Sequence, residues 1–311
     1  MAQTKPVVVV VGSSNTDMVV KCDRLPHPGQ TVTGGKFVVA AGGKGANQAV
    51  AAARLGAHVV FVARVGTDSF GQEALRGYEA EGIDTQFVVR DPDDHTGVAL
   101  IMVDASGENM IAVASGANHR LTAADVRRAE SVIARAGVVL VQLEIPWEAV
   151  RTAVKLAYEH SVPVILNPAP AVPLDDDLLS RVSYLTPNES EAEGLTGIRV
   201  VDEATADQAA EALLKRGVRH VIITLGARGA FLATQERKLL IPAFKVNAVD
   251  TTAAGDAFNG ALAVALARGL SLEAAIEFSA KAGAVSVTRM GAQPSLPRED
   301  EIAEFSAERV A

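Results

Sequence analysis

Val7-Val8-Val9-Val10-Val11-Gly12-Ser13-Ser14-Asn15-Thr16-Asp17 sets the reading of this 311-residue chain. Five β-branched residues stop at a glycine and a polar turn, the pattern of a buried strand ending in a loop. Downstream the pattern recurs with helices between. Gly42-Gly43-Lys44-Gly45 opens an Ala-rich helix, Ala46 to Leu55, closed by Gly56. Val59-Val60-Phe61-Val62 reads as a strand and Ser69 to Glu81 as a helix ended by Gly82. Next come a helix in 122–135 with Thr122 at its N-cap, the strand Val138 to Gln142, a helix from Pro146 to His160 and the strand Val164 to Leu166. Tyr184-Leu185, helices near 188–196 and in 203–216, and the strand His220 to Thr224 continue the rhythm. Residues 229–246 read as two or three antiparallel strands, and helices over 255–268 and 272–287 follow. This alternation predicts a three-layer α/β/α fold, a mainly parallel sheet covered by helices on both faces. Such sheets bind ligands beyond the carboxyl ends of their strands.

Two β-rich stretches break the rhythm, about 17–40 and 96–114. The first holds Met18-Val19-Val20 and Thr31-Val32-Thr33, separated by Pro26, Pro28 and Gly29 as in a hairpin. Neither stretch suits a parallel sheet, so both are expected in a small separate sheet acting as a lid. No linker or repeat divides the chain, which reads as one domain over 1–311 with these lid segments inserted.

Composition removes several classes. Lys+Arg 29 against Asp+Glu 37 gives a net charge of −8, with no basic block, so nucleic acid is not the expected partner. The longest apolar run, Ala261 to Ala267, is far short of the roughly 20 residues of a membrane span. Met1 to Pro6 is polar and Val7 to Val11 is too short for a signal-peptide core. Cys22 is the single cysteine, and the six His lie too far apart for a helical ligand pair. A cytoplasmic protein acting on a small molecule is the expectation.

The strongest local feature is Asp250-Thr251-Thr252-Ala253-Ala254-Gly255-Asp256. Small residues ahead of an apolar helix let a ligand approach backbone N–H groups, and a helix N-terminus favours an anion. Asp256 falls in the first turn, where it can take a proton from a hydroxyl during phosphoryl transfer. An N-capping Asp after a loop carries the same pattern. Gly42-Gly43-Lys44-Gly45-Ala46-Asn47 also suits a polar ligand at a helix start, or a plain glycine turn. Neither a P-loop nor G-x-G-x-x-G occurs. Asn15 and Asp17 can bond sugar hydroxyls or simply shape a turn. Glu144 ends a strand where ligands bind, or where a solvated Glu commonly sits. Glu191, in the N-x-x-E begun by Asn188, can hold a Mg²⁺-bound water or serve a helix cap. Thr224-Leu225-Gly226-Ala227-Arg228-Gly229 can pack on a nucleotide or form a hairpin. Each motif is weak alone; together they fall in loops at strand carboxyl ends.

Gly42 to Ala49 and Asp250 to Asp256, with Asn167-Pro168-Ala169-Pro170, Thr186-Pro187-Asn188-Glu189-Ser190-Glu191 and Gly291-Ala292-Gln293-Pro294-Ser295, resemble the ribokinase branch of the ribokinase/phosphofructokinase-B family of sugar kinases. The resemblance runs from Val7 to about Pro297. It implies ATP-dependent phosphorylation of D-ribose at its 5-hydroxyl, with Asp256 as base and the amides of Ala253, Ala254 and Gly255 as anion hole. It further implies ribose contacts at Asn15, Asp17, Gly43, Lys44, Asn47 and Glu144. Nucleotide contacts are implied at Asn188, Thr224, Gly226, Gly229 and Gly255, and Mg²⁺ placement through water at Glu191. An activating K⁺ is implied at Asp250, Thr252, Ser286, Arg289, Gly291 and Ser295, and a homodimer through the lid. Ala280 stands where relatives often carry a polar residue near the nucleotide, with Lys281 beside it, and Ala41 replaces a bulky residue ahead of the glycines. Sister kinases for 2-deoxyribose, another sugar or a nucleoside, and a non-catalytic sugar-binding protein, are the alternatives; only 4% aromatic content speaks against a nucleoside.

Overall fold

The computed structural model describes residues 5–310; residues 1–4 of the polar start, and residue 311, lie outside them. β1 (Val7–Val11) leads into β2 (Asn15–Lys21), which pairs antiparallel with β3 (Lys36–Gly42) ahead of α1 (Lys44–Arg54). β4 (His58–Gly66), α2 (Ser69–Ala80) and β5 (Asp84–Asp91) follow, then the hairpin of β6 (Gly97–Val103) and β7 (Asn109–Ala114). Next come α3 (Ala123–Arg127), α4 (Glu130–Ile133), β8 (Val138–Val141), α5 (Trp147–Glu159), β9 (Val164–Leu166), α6 (Asp176–Leu179) and β10 (Tyr184–Leu185). The remainder comprises α7 (Glu189–Thr196), α8 (Glu203–Lys215), β11 (His220–Thr224), β12 (Ala230–Ala233), β13 (Lys238–Ile241), α9 (Ala254–Ala267), α10 (Leu272–Ser286) and α11 (Glu299–Glu304).

Nine strands form one sheet in the order β13-β12-β11-β10-β9-β8-β1-β4-β5. The pairs from β11 to β5 are parallel, and β12 and β13 join antiparallel at one edge. Alternation along each strand sorts the core into two layers. Val9, Val11, Val60, Val62, Val139 and Val141 pack against α3 to α8, whereas Val8, Val10, Phe61, Val138 and Leu140 pack against α1, α2, α9 and α10. Burial on both faces is why these strands read as unbroken valine runs. The expected α/β/α layering with a mainly parallel sheet is therefore what forms.

The two interrupting stretches make a separate four-stranded sheet, β3-β2-β6-β7, in which β2 and β6 lie parallel. Thr31-Val32-Thr33 is not one of its strands. The second strand starts at Lys36, after Gly34 turns the chain at φ +91°. The helix expected over 122–135 is two short ones, split where Ala129 leaves helical geometry (φ −90°, ψ 3°), although Thr122 does cap the first. Residues 229–246 contain two strands.

Candidate active site

The loops singled out in the sequence gather at the carboxyl end of the large sheet. A cavity of about 210 Å³ there is lined by Lys44, Asn188, Glu191, Thr224 and the Ala253-Ala254-Gly255-Asp256 run. The parallel order explains the gathering, because β1, β8, β9, β10 and β11 all discharge their following loops on this side.

Asp256 lies in the first turn of α9 and is 7% exposed. Both carboxylate oxygens are taken up: Asn47 Nδ2 donates to Oδ2 at 2.9 Å and Gln48 Nε2 to Oδ1 at 2.9 Å. Burial pushes the carboxyl up; Lys44 and the two amides pull it down, Glu144 adds to the rise, and the balance stays above the ordinary value. A carboxylate held high is a better proton acceptor than a free one. Lys44 answers it. Burial lowers its ammonium, but Asp256, Glu144 and Glu191 outweigh that and hold it above the usual lysine range.

The start of α9 departs from ordinary helix geometry. Ala253, its N-cap, sits in the left-handed region at φ +59°, and no side chain caps it. That conformation costs a non-glycine residue about 1–2 kcal/mol. Ala254 N–H donates to Thr251 O at 3.2 Å. First-turn N–H groups without an intrahelical acceptor lie beside the cavity, the setting that binds phosphoryl oxygens.

The polar groups on the lid side are held as rigidly. Glu144 Oε2 accepts from Ser13 Oγ at 2.6 Å and from Lys44 N at 3.0 Å. Asn15 Oδ1 accepts from Asn118 Nδ2 at 2.7 Å, while Asn118 Oδ1 accepts from Ser14 N. Asp17, on β2, is pushed up to about 6 by burial first, then by Glu144 and Asp256. Asn47 Oδ1 is buried with no partner among the described residues, an acceptor suited to a ligand hydroxyl. Gly43 is required twice over: its φ is +88°, and a Cβ there would lie 2.7 Å from Asn15 N.

Asn188 and Glu191 prove to be a capping box on α7, each accepting from the other's backbone N–H. Glu191 is nonetheless 8% exposed, on the cavity wall, its carboxyl raised by burial. Thr224 bridges to Asn188 and also lines the cavity. Gly226 and Gly229 do not line it. They carry the chain through a tight turn into β12, and a Cβ on Gly229 would lie 2.0 Å from Ile241 O. Asp250 Oδ1 accepts from Thr252 N and Oγ1, and Oδ2 from Gly291 N, which joins those two loops. Ser286, Arg289 and Ser295 have partners of their own in Gly283 O, Glu301 and Ala292 O. Lys281 places its ammonium 5.9 Å from the centre of the Phe244 ring, and neither it nor Ala280 lines the cavity.

Four site residues were given no role in the sequence reading, although Gln48, Asn167 and Thr186 stand in the motifs quoted there. Gln48 Nε2 donates to Asn167 Oδ1 as well as to Asp256, Asn167 Nδ2 donates to Thr186 O, Thr186 Oγ1 to Asn259 Oδ1, and Asn259 Nδ2 to Gly255 O. This buried amide chain ties α1, β9 and the start of α9 together. A polar residue one turn from a candidate site residue, among small apolar ones, was the available signal for Asn259, three residues after Asp256.

A family model described as pfkB family carbohydrate kinase matches residues 5–299. The ribokinase of Haemophilus influenzae is 46% identical over 298 residues, 96% of this chain and 97% of that protein. The ribokinase of Mus musculus is 46% identical over 295 residues, 93% of this chain and 91% of that protein. The structure of Arabidopsis thaliana ribokinase complexed with ribose and ATP is 34% identical, covers 97% of this chain and all of that one, and gives a TM-score of 0.88. With matches of this extent, the chain belongs to the pfkB family of carbohydrate kinases.

Proposed function

We propose that the chain transfers a phosphoryl group from ATP to the 5-hydroxyl of D-ribose, giving D-ribose 5-phosphate and ADP. The observation that carries this is Asp256: a buried, proton-hungry carboxylate beside an uncapped helix N-terminus, in one cavity with Lys44. Asn15, Asp17, Gly43, Lys44, Asn47 and Glu144 hold the sugar. Asp256 takes the proton as the hydroxyl attacks, and the amides of Ala253, Ala254 and Gly255 receive charge on the transferred group. Asn188, Thr224 and Gly255 serve the nucleotide from the cavity wall, and Gly226 and Gly229 serve it through the turn that follows Thr224. β2, β3, β6 and β7 close over the sugar and exclude water, the competing acceptor.

Two ions suit the donor set. Glu191 is a buried carboxylate at the nucleotide end, fit to orient Mg²⁺ through water, and Mg²⁺ when bound neutralises phosphate charge. Asp250 supplies a single negative charge, held low by bonds from Thr252 and Gly291 that outweigh its burial. Thr252 and Gly291 are joined to it by hydrogen bonds, and with oxygens of Ser286, Arg289 and Ser295, which the resemblance adds, the set would be all oxygen, as suits K⁺. We read 1–311 as one kinase domain with the lid inserted, working in the cytoplasm. Val20, Phe37, Val39, Leu100 and Met110 are exposed on one face of the lid sheet, an apolar surface that fits pairing with a second copy as a homodimer.

ADP release from ATP with Mg²⁺ and K⁺, comparing D-ribose, 2-deoxyribose, fructose and adenosine, tests the reading. Preference for ribose that falls when K⁺ is replaced by a large organic cation supports it. Turnover on another acceptor alone reassigns the substrate, and sugar binding without turnover removes the catalytic reading.

A further inference from the structure

Gln142 directly follows β8, in the loop that carries Glu144, and is fully buried. Its Nε2 donates to Gln48 Oε1 at 2.6 Å, while its own Oε1 has no partner among the described residues. That donation is therefore its whole side-chain polar contact. Gln48, also fully buried, spends both Nε2 protons on oxygens, Asp256 Oδ1 at 2.9 Å and Asn167 Oδ1 at 3.0 Å. We propose that Gln142 is a positioning residue for phosphoryl transfer, acting through Gln48 by fixing which end of that amide faces the Asp256 carboxylate.

An amide has a donor end and an acceptor end of nearly the same shape. Packing alone does not choose between them. The two acceptor oxygens of Asp256 and Asn167 favour the NH₂ end, and the donor from Gln142 reinforces that choice, because only Gln48 Oε1 can accept it. A flipped Gln48 would set a carbonyl against two oxygens, weakening the ionised base and loosening its aim. Gly12 makes room for the device: a Cβ there would lie 2.1 Å from Gln142 Oε1. Other charged groups facing Asp256 come from separate elements, Lys44 on α1, Glu144 beyond β8, Asp17 on β2 and Glu191 on α7, and none of them touches Gln142.

The inference rests on Asp256 being the base, so Asp256→Asn is assayed alongside. Steady-state kinetics and calorimetric ribose binding are measured for the wild type, Gln142→Met, Gln48→Met and the double variant. Gln142→Met is expected to lower kcat at least about tenfold, with the ribose Kd within about twofold. Its acid limb in the kcat–pH profile should move up, though less than in Gln48→Met, because the Gln48 donor to the Asp256 carboxylate is loosened and not removed. In the Gln48→Met background, Gln142→Met should add nothing, since it acts only through that amide. Wild-type kcat and acid limb in Gln142→Met, or an equal further loss on top of Gln48→Met, overturns the inference. Should Gln142→Met not fold, the double variant leaves neither amide unpaired and still decides: kcat equal to Gln48→Met supports the inference and a lower kcat refutes it. Turnover by Asp256→Asn at a rate near wild type removes the base itself and the inference with it.

Discussion

Asp17→Asn is expected to make the unliganded protein more stable while damaging its function. In the folded protein the Asp17 carboxyl is lifted from 3.8 to about 6 by burial, with Glu144 and Asp256 adding to it. At about 1.36 kcal/mol per pH unit, holding that charge costs roughly 3 kcal/mol, and partial exposure lowers the expectation to about 1–3 kcal/mol. The sign follows from the raised folded value. The unfolded chain releases this proton near pH 4 and the folded chain near pH 6. The wild type therefore loses stability as pH rises through that window and stays at the lower level above it. An amide at position 17 escapes the loss. Differential scanning calorimetry without ligands should show Asp17→Asn melting about 2–5 °C above wild type at pH 8, with a gap about half as large at pH 5. Ribose affinity should fall about 10–100-fold, as a charged hydrogen-bond acceptor is lost. Equal or lower melting at pH 8, or a gap that ignores pH, would refute the electrostatic account of the sugar pocket.

Three further outcomes follow from local geometry. In Gly45→Ala a Cβ would lie 2.4 Å from Ser13 N and 2.6 Å from Gly12 C, so backbone must move; melting should drop by several degrees and ribose binding should fail in calorimetry. Gly77→Ala, in α2 with nothing within 4 Å of the new Cβ, should instead raise stability by about 0.5–1 kcal/mol in denaturant unfolding and leave kcat unchanged. Asp91→Asn removes the charge that Arg64 Nε (2.7 Å) and Arg120 Nε (3.0 Å) share below the lid, and should cost about 3 kcal/mol at pH 7. The Asp91 carboxyl is held low by its partners against the effect of burial, so the gap between wild type and variant should close as pH falls below about 4.

The large sheet was legible because its central strands are buried on both faces and spell apolar runs; His220–Thr224 and Val164–Leu166 form where expected. β5 was not foreseen. Its sequence, DTQFVVRD, has only three apolar residues, as suits an edge strand. Thr31-Val32-Thr33 has strand-like composition, yet pairing in the lid is decided by partners on β2, which Lys36–Gly42 takes up. Local chemistry also showed Asp256, Lys44 and Glu144, because small residues or a strand end surround each. Gln48, Asn167 and Asn259 were hidden for a topological reason. Gln48 meets Asp256 across 208 residues and Asn167 across 119, and nothing near any of them announces the partner. The ion-site residues were placed by resemblance, and within the structure only Asp250, Thr252 and Gly291 are joined directly by hydrogen bonds.

The central claim is that Asp256 activates one hydroxyl of ribose in this cleft. Phosphorus and carbon NMR of the product formed from ATP and ribose, by wild type and by Asp256→Asn, tests it most directly. A single phosphomonoester on O5 from the wild type is predicted. The variant should bind ribose within a few-fold of wild type yet form product at least about 10²–10⁴-fold more slowly. Phosphate on another hydroxyl, or product from Asp256→Asn at a rate near wild type, would contradict the account.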